Sequence, residues 1–282
     1  MSPSVSQSMR PEILYPLFAP ISVLPGLGPR LAPLAERLAG PHVADLLWHL
    51  PAAVVDRRFR PGAAEAPSGR IATFRVTVER HWPAGRGGRP GVVLCADASG
   101  PLRLVFFHGK GDWLAKQLPL GSERIVSGLV DRYQGEAQIA HPDYILPPEQ
   151  EAELPEIEAV YPLTAGLAPK ILAKAAAAAL ARAPDLAEWH DPALLRREGW
   201  PSWRAALTDA HHPTGEDALS PTAPARRRLA YDELLANQLA LALVRRRLKD
   251  APGRAFAADG GLRRRLLEGL PFALTGAQER AL

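Results

Sequence analysis

The chain has 282 residues, 47% of them hydrophobic and 23% charged, enough for one large or two to three small globular domains. Its net charge of +4 permits a nucleic-acid partner without demanding one. The single cysteine, Cys95, excludes an internal disulfide and a cysteine-rich zinc site and fits a reducing, cytoplasmic setting. The Ser-rich start lacks the apolar core of a secretory signal, and no apolar run approaches the ~20 residues of a membrane span.

Residues 1–10 read as a disordered tail. Residues 11–62 read as a helical segment: Leu31, Leu34, Ala35 and Leu38 recur at helical spacing, as do Val43, Leu46, Leu47 and Leu50, before Pro51 and Pro61-Gly62 break the pattern. From Arg70 the period changes to two. Strands are predicted at 71–78, 92–97, 102–107, 124–133 and 136–145, with a short helix capped near Asp112 between the third and fourth. That order is the order of an OB-fold, which places a five-stranded β-barrel at 68–147. Cys95, within an apolar run of the second strand, reads as a buried thiol. Residues 148–225 read as an acidic linker followed by short helices, one of them Ala-rich at 170–182 and one near Trp203. Residues 226–250 read as one long helix, on the order of 35 Å. Its leucines lie on more than one face, so packing between neighbours is expected. The predicted fold class is α+β.

Three stretches are candidates for chemistry. Leu24-Pro25-Gly26-Leu27-Gly28-Pro29 precedes a helix and resembles the hairpin of helix-hairpin-helix elements, whose backbone amides meet phosphate; a plain interhelical turn accounts for Gly26 and Gly28 equally. Phe106-Phe107 ends the third strand. Alternation sends one ring into the barrel and the other outward or to the rim, where it would be a stacking platform for a base. Arg103, Lys110, Arg86 and Arg89 could supply charge to the nucleic-acid backbone nearby. The clusters Arg245-Arg246-Arg247 and Arg263-Arg264-Arg265 read as solvated faces rather than phosphate ligands. The histidines show no metal-ligand spacing, no Gly-x-x-x-x-Gly-Lys-Ser/Thr loop is present, and no catalytic constellation emerges.

The final stretch, Phe272-Ala273-Leu274-Thr275 with Gln278, resembles the Q motif that opens the motor domain of nucleic-acid helicases; a Gln side chain offers both an acceptor and a donor pair to an adenine edge. Several further segments, together with this one, resemble the RecG branch-migration helicases: Ile21 to Pro29, Asp45-Leu46-Leu47-Trp48-His49-Leu50-Pro51, Asp56-Arg57-Arg58, Phe106-Phe107, His141-Pro142-Asp143-Tyr144, Tyr161-Pro162-Leu163-Thr164 and the helix from Arg226. The resemblance implies an OB-type wedge that splits strands at forks and Holliday junctions, with aromatics at Phe106 and Phe107 stacking on fork bases. It also implies a long helix leading, over residues 251–282, to the start of a RecA-like motor, where Phe272, Thr275 and Gln278 would meet the adenine end of ATP.

The phosphate loop, acidic metal pair and arginine finger of that motor are not in this sequence. The chain is thus expected to be the part preceding the motor: inactive alone, with ATP and Mg serving only the whole enzyme. It is expected to bind branched and single-stranded DNA as a monomer, without metal or membrane. A stand-alone single-strand-binding OB protein is the alternative, and a scaffold without nucleic acid a third reading.

Overall fold

Prolines at 16, 20, 25, 29 and 33 deny the N-terminal segment a long helix, because each removes a backbone donor. In the computed structural model, which describes residues 11–85, 89–107, 111–250, 253 and 259–281, this segment is two 3-10 turns, Glu12–Phe18 and Ile21–Val23, followed by two short helices, α1 (Ala32–Leu38) and α2 (Val43–Trp48). Asp45 starts α2 by accepting the His42 amide at 2.8 Å. The chain then forms a short strand, β1 (Ala53–Asp56), inside the stretch expected to be helical.

The period-two stretches become β2 (Ile71–Trp82), β3 (Gly91–Ala96), β4 (Pro101–Phe106), β5 (Glu123–Tyr133) and β6 (Glu136–Ala140), with α3 (Gly111–Gln117) between β4 and β5. Their order, β2-β3-β4-β6-β5, closes by pairing β5 back onto β2. The β4–β6 pair is parallel and the others antiparallel. The five-stranded barrel expected from the sequence is therefore present. Its interior holds Phe74, Val76, Val78, Val93, Cys95, Leu102, Leu104, Phe106, Val126, Val130 and Ile139. Burial pushes the Cys95 thiol up to about 12, in keeping with an inert core residue. Gln134 (φ 54°) and Gly135 (φ 86°) make the two-residue, positive-φ turn that suits the right-handed twist of a hairpin, and they set Tyr133 opposite Glu136.

The last expected strand, 136–145, is two strands. β6 stops at Ala140, His141 turns in the left-handed region (φ 49°), and β7 (Tyr144–Leu146) pairs with the opposite end of β5, Ser127 facing Tyr144. Pro142, which cannot donate to a ladder, fits the break.

The acidic stretch after the barrel is also not a bare linker. It holds a 3-10 turn, Pro148–Glu153, and β8 (Ile157–Val160), which pairs antiparallel with β1 across about a hundred residues of sequence. The helices α4 (Pro169–Leu180), α5 (Pro192–Glu198) and α6 (Trp203–His211) follow, and α7 (Pro224–Asp250) begins after them. Leu17, Ile21, Leu27, Leu46 and Leu47 share one core with Leu172, Ala176, Leu207 and Leu229. The helical segments on either side of the barrel are therefore one body, and the barrel is inserted into it. Inside that body His211 Nε2 meets the Leu47 carbonyl at 3.0 Å and its Nδ1 meets the Tyr161 hydroxyl at 3.0 Å. Burial holds this imidazole below its ordinary pKa and raises the Tyr161 phenol to about 12.

Barrel and body are joined through Arg57, which is 3% exposed. Its Nε and Nη2 donate to Glu158 Oε2 of β8 at 3.1 and 2.6 Å, and its Nη1 donates to Ser127 Oγ of β5 and to Asp143 Oδ2, both at 3.1 Å. Thr73 of β2 donates to the Arg57 carbonyl at 2.9 Å. The Tyr144 ring lies 4.7 Å from the guanidinium and its hydroxyl donates to Glu158 at 3.1 Å.

A first compact unit runs to Asp232 and a second from Glu233, the boundary falling within α7. In the first, Arg228 is fully enclosed and bonds Asp232 and Glu188 at 2.9 Å each. In the second, α7 continues and is followed by α8 (Gly261–Glu268) and α9 (Gly276–Ala281). Of the α7 leucines expected to be packed, Leu234, Leu239, Leu241 and Leu243 are exposed and Leu235 is half-buried, whereas Leu229 on its first turns is buried.

Arg57→Ala removes the guanidinium and leaves Glu158 and Asp143 facing each other partly desolvated. Because both carboxylates keep some solvent, the expected loss is about 2–3 kcal/mol, below the ~3–5 of a fully enclosed pair. Urea unfolding measures it; a change under ~0.5 kcal/mol would remove Arg57 from its joining role. A second expectation concerns pH. Unfolded, His211 takes a proton near pH 6.5; folded, it does so only at lower pH, so stability is lost as pH falls below about 6.5. Replacing it with Gln should shrink the drop in urea midpoint between pH 7.5 and 5.5; an unchanged drop assigns the pH dependence elsewhere.

Candidate nucleic-acid interface

Along β4 the even positions face inward, and this phase separates the two phenylalanines. Phe106 is 4% exposed and packs in the barrel core, where its ring meets Trp113 edge-on at 6.2 Å. Phe107, the first residue past the strand, is 55% exposed. The expectation of one ring in and one out holds, and the outward ring is Phe107. Phe106 offers no open face to a base as it stands; the ring with an open face is that of Phe107. The buried Phe106 ring also backs an exposed residue not singled out from the sequence, Trp113 of α3, 48% exposed. Its signal was available, since Leu114 and Leu118 mark the buried side of α3 and Trp113 precedes the first of them.

His141 completes the cluster. Its Nε2 accepts the Phe107 amide at 3.1 Å, and its ring lies 5.5 Å from the Phe107 ring and 6.0 Å from the Phe106 ring. The rim of the barrel therefore carries two exposed aromatic faces backed by a buried one. Exposed rings on an OB-type barrel suit base stacking, which is tolerant of sequence because every base has a π-face.

The expected cations are distributed differently. The Arg103 guanidinium lies 5.6 Å from the Tyr133 ring, with Glu136 at 3.6 Å. It is thus already engaged within the barrel. Arg89 is exposed. Arg86 and Lys110 lie outside the described residues. On the outer surface of β2, Arg80 stands 5.8 Å from the exposed Trp82 ring, another pairing that the sequence reading did not single out.

The glycine pair belongs to the helical body, not to the barrel rim. Leu24-Pro25-Gly26-Leu27 is a tight turn closed by the Leu27 amide on the Leu24 carbonyl at 3.2 Å. Gly26 has φ +85°, and a Cβ there would come within 3.1 Å of Ile171 of α4, so turn geometry and close packing both ask for glycine. Gly28 is open to solvent, and its carbonyl accepts from Leu31 and Ala32 as α1 begins.

At the other end of the chain Gln278 Oε1 accepts from the Thr275 amide at 2.9 Å and the Thr275 hydroxyl at 3.0 Å, while the Gln278 amide points back to Thr275 Oγ1 at 3.4 Å. This is a capping box at the start of α9. Phe272 is exposed beside it.

No family model matches the sequence. Among curated proteins, the chain is 30% identical over 274 residues to the ATP-dependent DNA helicase RecG of Acidithiobacillus ferridurans, covering 93% of this chain and 38% of that protein. It is 30% identical over 273 residues to RecG of Escherichia coli K12, covering 93% and 39%, and 26% identical over 253 residues to RecG of Aquifex aeolicus, covering 85% and 32%. The chain therefore spans well under half the length of these relatives. Among solved structures it is similar to a RecG bound to a three-way DNA junction, with a TM-score of 0.63 and 25% identity over 94% of this chain and 36% of that one. Along nearly its whole length, then, this chain is homologous to the RecG helicases and corresponds in fold to their wedge-bearing region.

Proposed function

We propose that this chain is the junction-binding part of an ATP-dependent branch-migration helicase of the RecG type, acting on forks and Holliday junctions in recombination, repair and stalled-fork regression. The observation that carries this reading is the fold match to a RecG solved on a three-way DNA junction. In the proposed mechanism cationic side chains such as Arg89 set affinity through the phosphates, which is sequence-independent and salt-dependent. Shape does the selecting: Phe107 and Trp113 stand at the barrel rim and cap the bases unpaired at the branch point, so that duplex drawn past the barrel parts into two strands. Single-stranded DNA is the secondary ligand, and the chain binds as a monomer in the cytoplasm. No helix among the described residues is long and apolar enough to cross a membrane.

In the whole enzyme ATP, with Mg2+, would supply the work. Of this chain, Phe272 would stack on the adenine and Gln278 would meet its edge. The fit is partial as the residues stand, because Gln278 Oε1 already serves Thr275 and the side-chain NH2 is what remains to offer an acceptor. Hydrolysis is not expected of these residues.

Binding of the chain to forked, duplex and single-stranded DNA of equal length tests the proposal. The fork should bind tightest, and all three should weaken as salt rises. Equal affinities would overturn shape selection, and preference for the single strand would favour a single-strand-coating OB protein instead. Phe107→Ala should lower fork affinity about 5- to 150-fold, the equivalent of ~1–3 kcal/mol of stacking, with an unchanged unfolding midpoint. Phe106→Ala should instead cost about 3–5 kcal/mol of stability through the cavity it leaves. The reverse pattern would place the functional ring at Phe106.

A further inference from the structure

Of the His-Pro-Asp-Tyr stretch, Asp143 and Tyr144 are accounted for by the Arg57 joint, and His141 is not. Its backbone lies in the left-handed region, φ 49°, where non-glycine residues are uncommon. Such conformations persist where surrounding contacts hold them, and they concentrate at functional sites. Here the His141 amide is held by the Val105 carbonyl at 2.9 Å. This is where the sheet stops: the parallel ladder between β4 and β6 ends with Val105 opposite Ala140, and the antiparallel one between β3 and β4 ends with Gly91 opposite Phe106. Phe107 is therefore the first residue whose amide has no strand partner to continue the ladder. The turn at His141 brings a side-chain acceptor to that amide, Nε2 at 3.1 Å, and lays the imidazole against the Phe107 ring at 5.5 Å with a tilt of 39°.

Because an amide N–H donates to Nε2, that nitrogen carries its lone pair. The same ring meets Phe106 edge-on at 6.0 Å and 83°, so it is braced against the barrel core on one side and against the exposed ring on the other. We propose that His141 is a positioning residue for the rim: by capping the end of β4 and backing the Phe107 ring, it fixes the attitude in which that ring meets an unpaired base. This deepens the junction-binding reading and rests on it.

The test is a double-mutant cycle on fork affinity, read with a fluorescein-labelled three-way DNA fork and a duplex of equal length at one salt concentration. His141→Leu should weaken fork binding about 2- to 10-fold, the range for losing one neutral hydrogen bond, and leave duplex binding unchanged. His141→Gln carries an acceptor at the same bond distance from Cβ and should restore most of the loss. His141→Gly removes the side chain while suiting the left-handed backbone, so it should fold at least as well as the parent chain and still lose fork affinity. In a Phe107→Ala background, His141→Leu should add nothing, since the two residues act as one unit. A His141→Leu effect that persists undiminished without the Phe107 ring would overturn the positioning role. So would full fork affinity in His141→Gly or His141→Leu while Phe107→Ala weakens binding. If Phe107→Ala itself leaves fork affinity intact, the stacking reading fails first and the positioning role fails with it.

Discussion

The guanidinium of Arg57 is the most enclosed polar link between the inserted barrel and the helical body. The two parts have separate apolar cores, one inside the barrel and one among the helices. Apolar contact is non-directional. A guanidinium is planar, permanently charged and carries donors in a fixed fork, so it can satisfy Glu158, Asp143 and Ser127 together at set angles. Lysine could match the charge but not the fork. The partners come from β5, from the turn after β6, and from β8, which makes the joint a three-way polar lock and not a single ion pair. Lys170 of α4 adds a fourth strut, its Nζ 4.4 Å from the Tyr144 ring and donating to the Asp143 carbonyl at 3.2 Å.

An inserted domain has its two chain connections close together, and here both are tied down. The incoming connection passes through β1 and Arg57, and the outgoing one through β7 and β8. β1 pairs with β8 over four residues, Ala53 facing Val160 and Asp56 facing Ile157, so entry and exit strands clasp each other directly beside the guanidinium. Ser127 of β5 ties the barrel wall to the same guanidinium that bonds β8. Directional bonds at the root of the barrel resist rotation better than an oily interface of the same area.

Much of the barrel was legible from the sequence because its strands are long and local. β2 and β5 alternate over many residues, the Gln134-Gly135 turn announces itself, and alternation at the end of β4 calls for one phenylalanine in and one out; which is which came only from the fold, where Phe106 follows Leu102 and Leu104 into the core and Phe107 is exposed. The β1–β8 clasp was not legible. Four residues give too little alternation to register, and each strand finds its partner only across the whole barrel. Composition misled as well: the acidic run around Glu158 looks like a solvated linker, yet one of its carboxylates is the principal partner of the buried Arg57. The continuous strand expected from Glu136 to Ile145 failed for a related reason. Apolar content continues through Ile139 and Ile145, and only the left-handed backbone at His141 divides them. Trp113 was not legible as a rim residue because strand alternation says nothing of a ring that comes from the helix after the strand.

The Thr275-to-Gln278 spacing shows how one short pattern can carry two physically sufficient explanations. Read as a Q motif, the Gln recognises adenine; as folded, its carbonyl closes a capping box with Thr275. A capping box is reason enough for Thr and Gln at that spacing in any helix start, so the motif by itself argues weakly for a nucleotide. The two uses compete for the same oxygen: a Gln that turns its amide edge to adenine has to release at least part of its hold on Thr275, and the first turn of α9 would lose a cap as the nucleotide gains a partner. The relation to RecG therefore draws its strength from elsewhere, from similarity spread along 93% of the chain and from a barrel of matching topology.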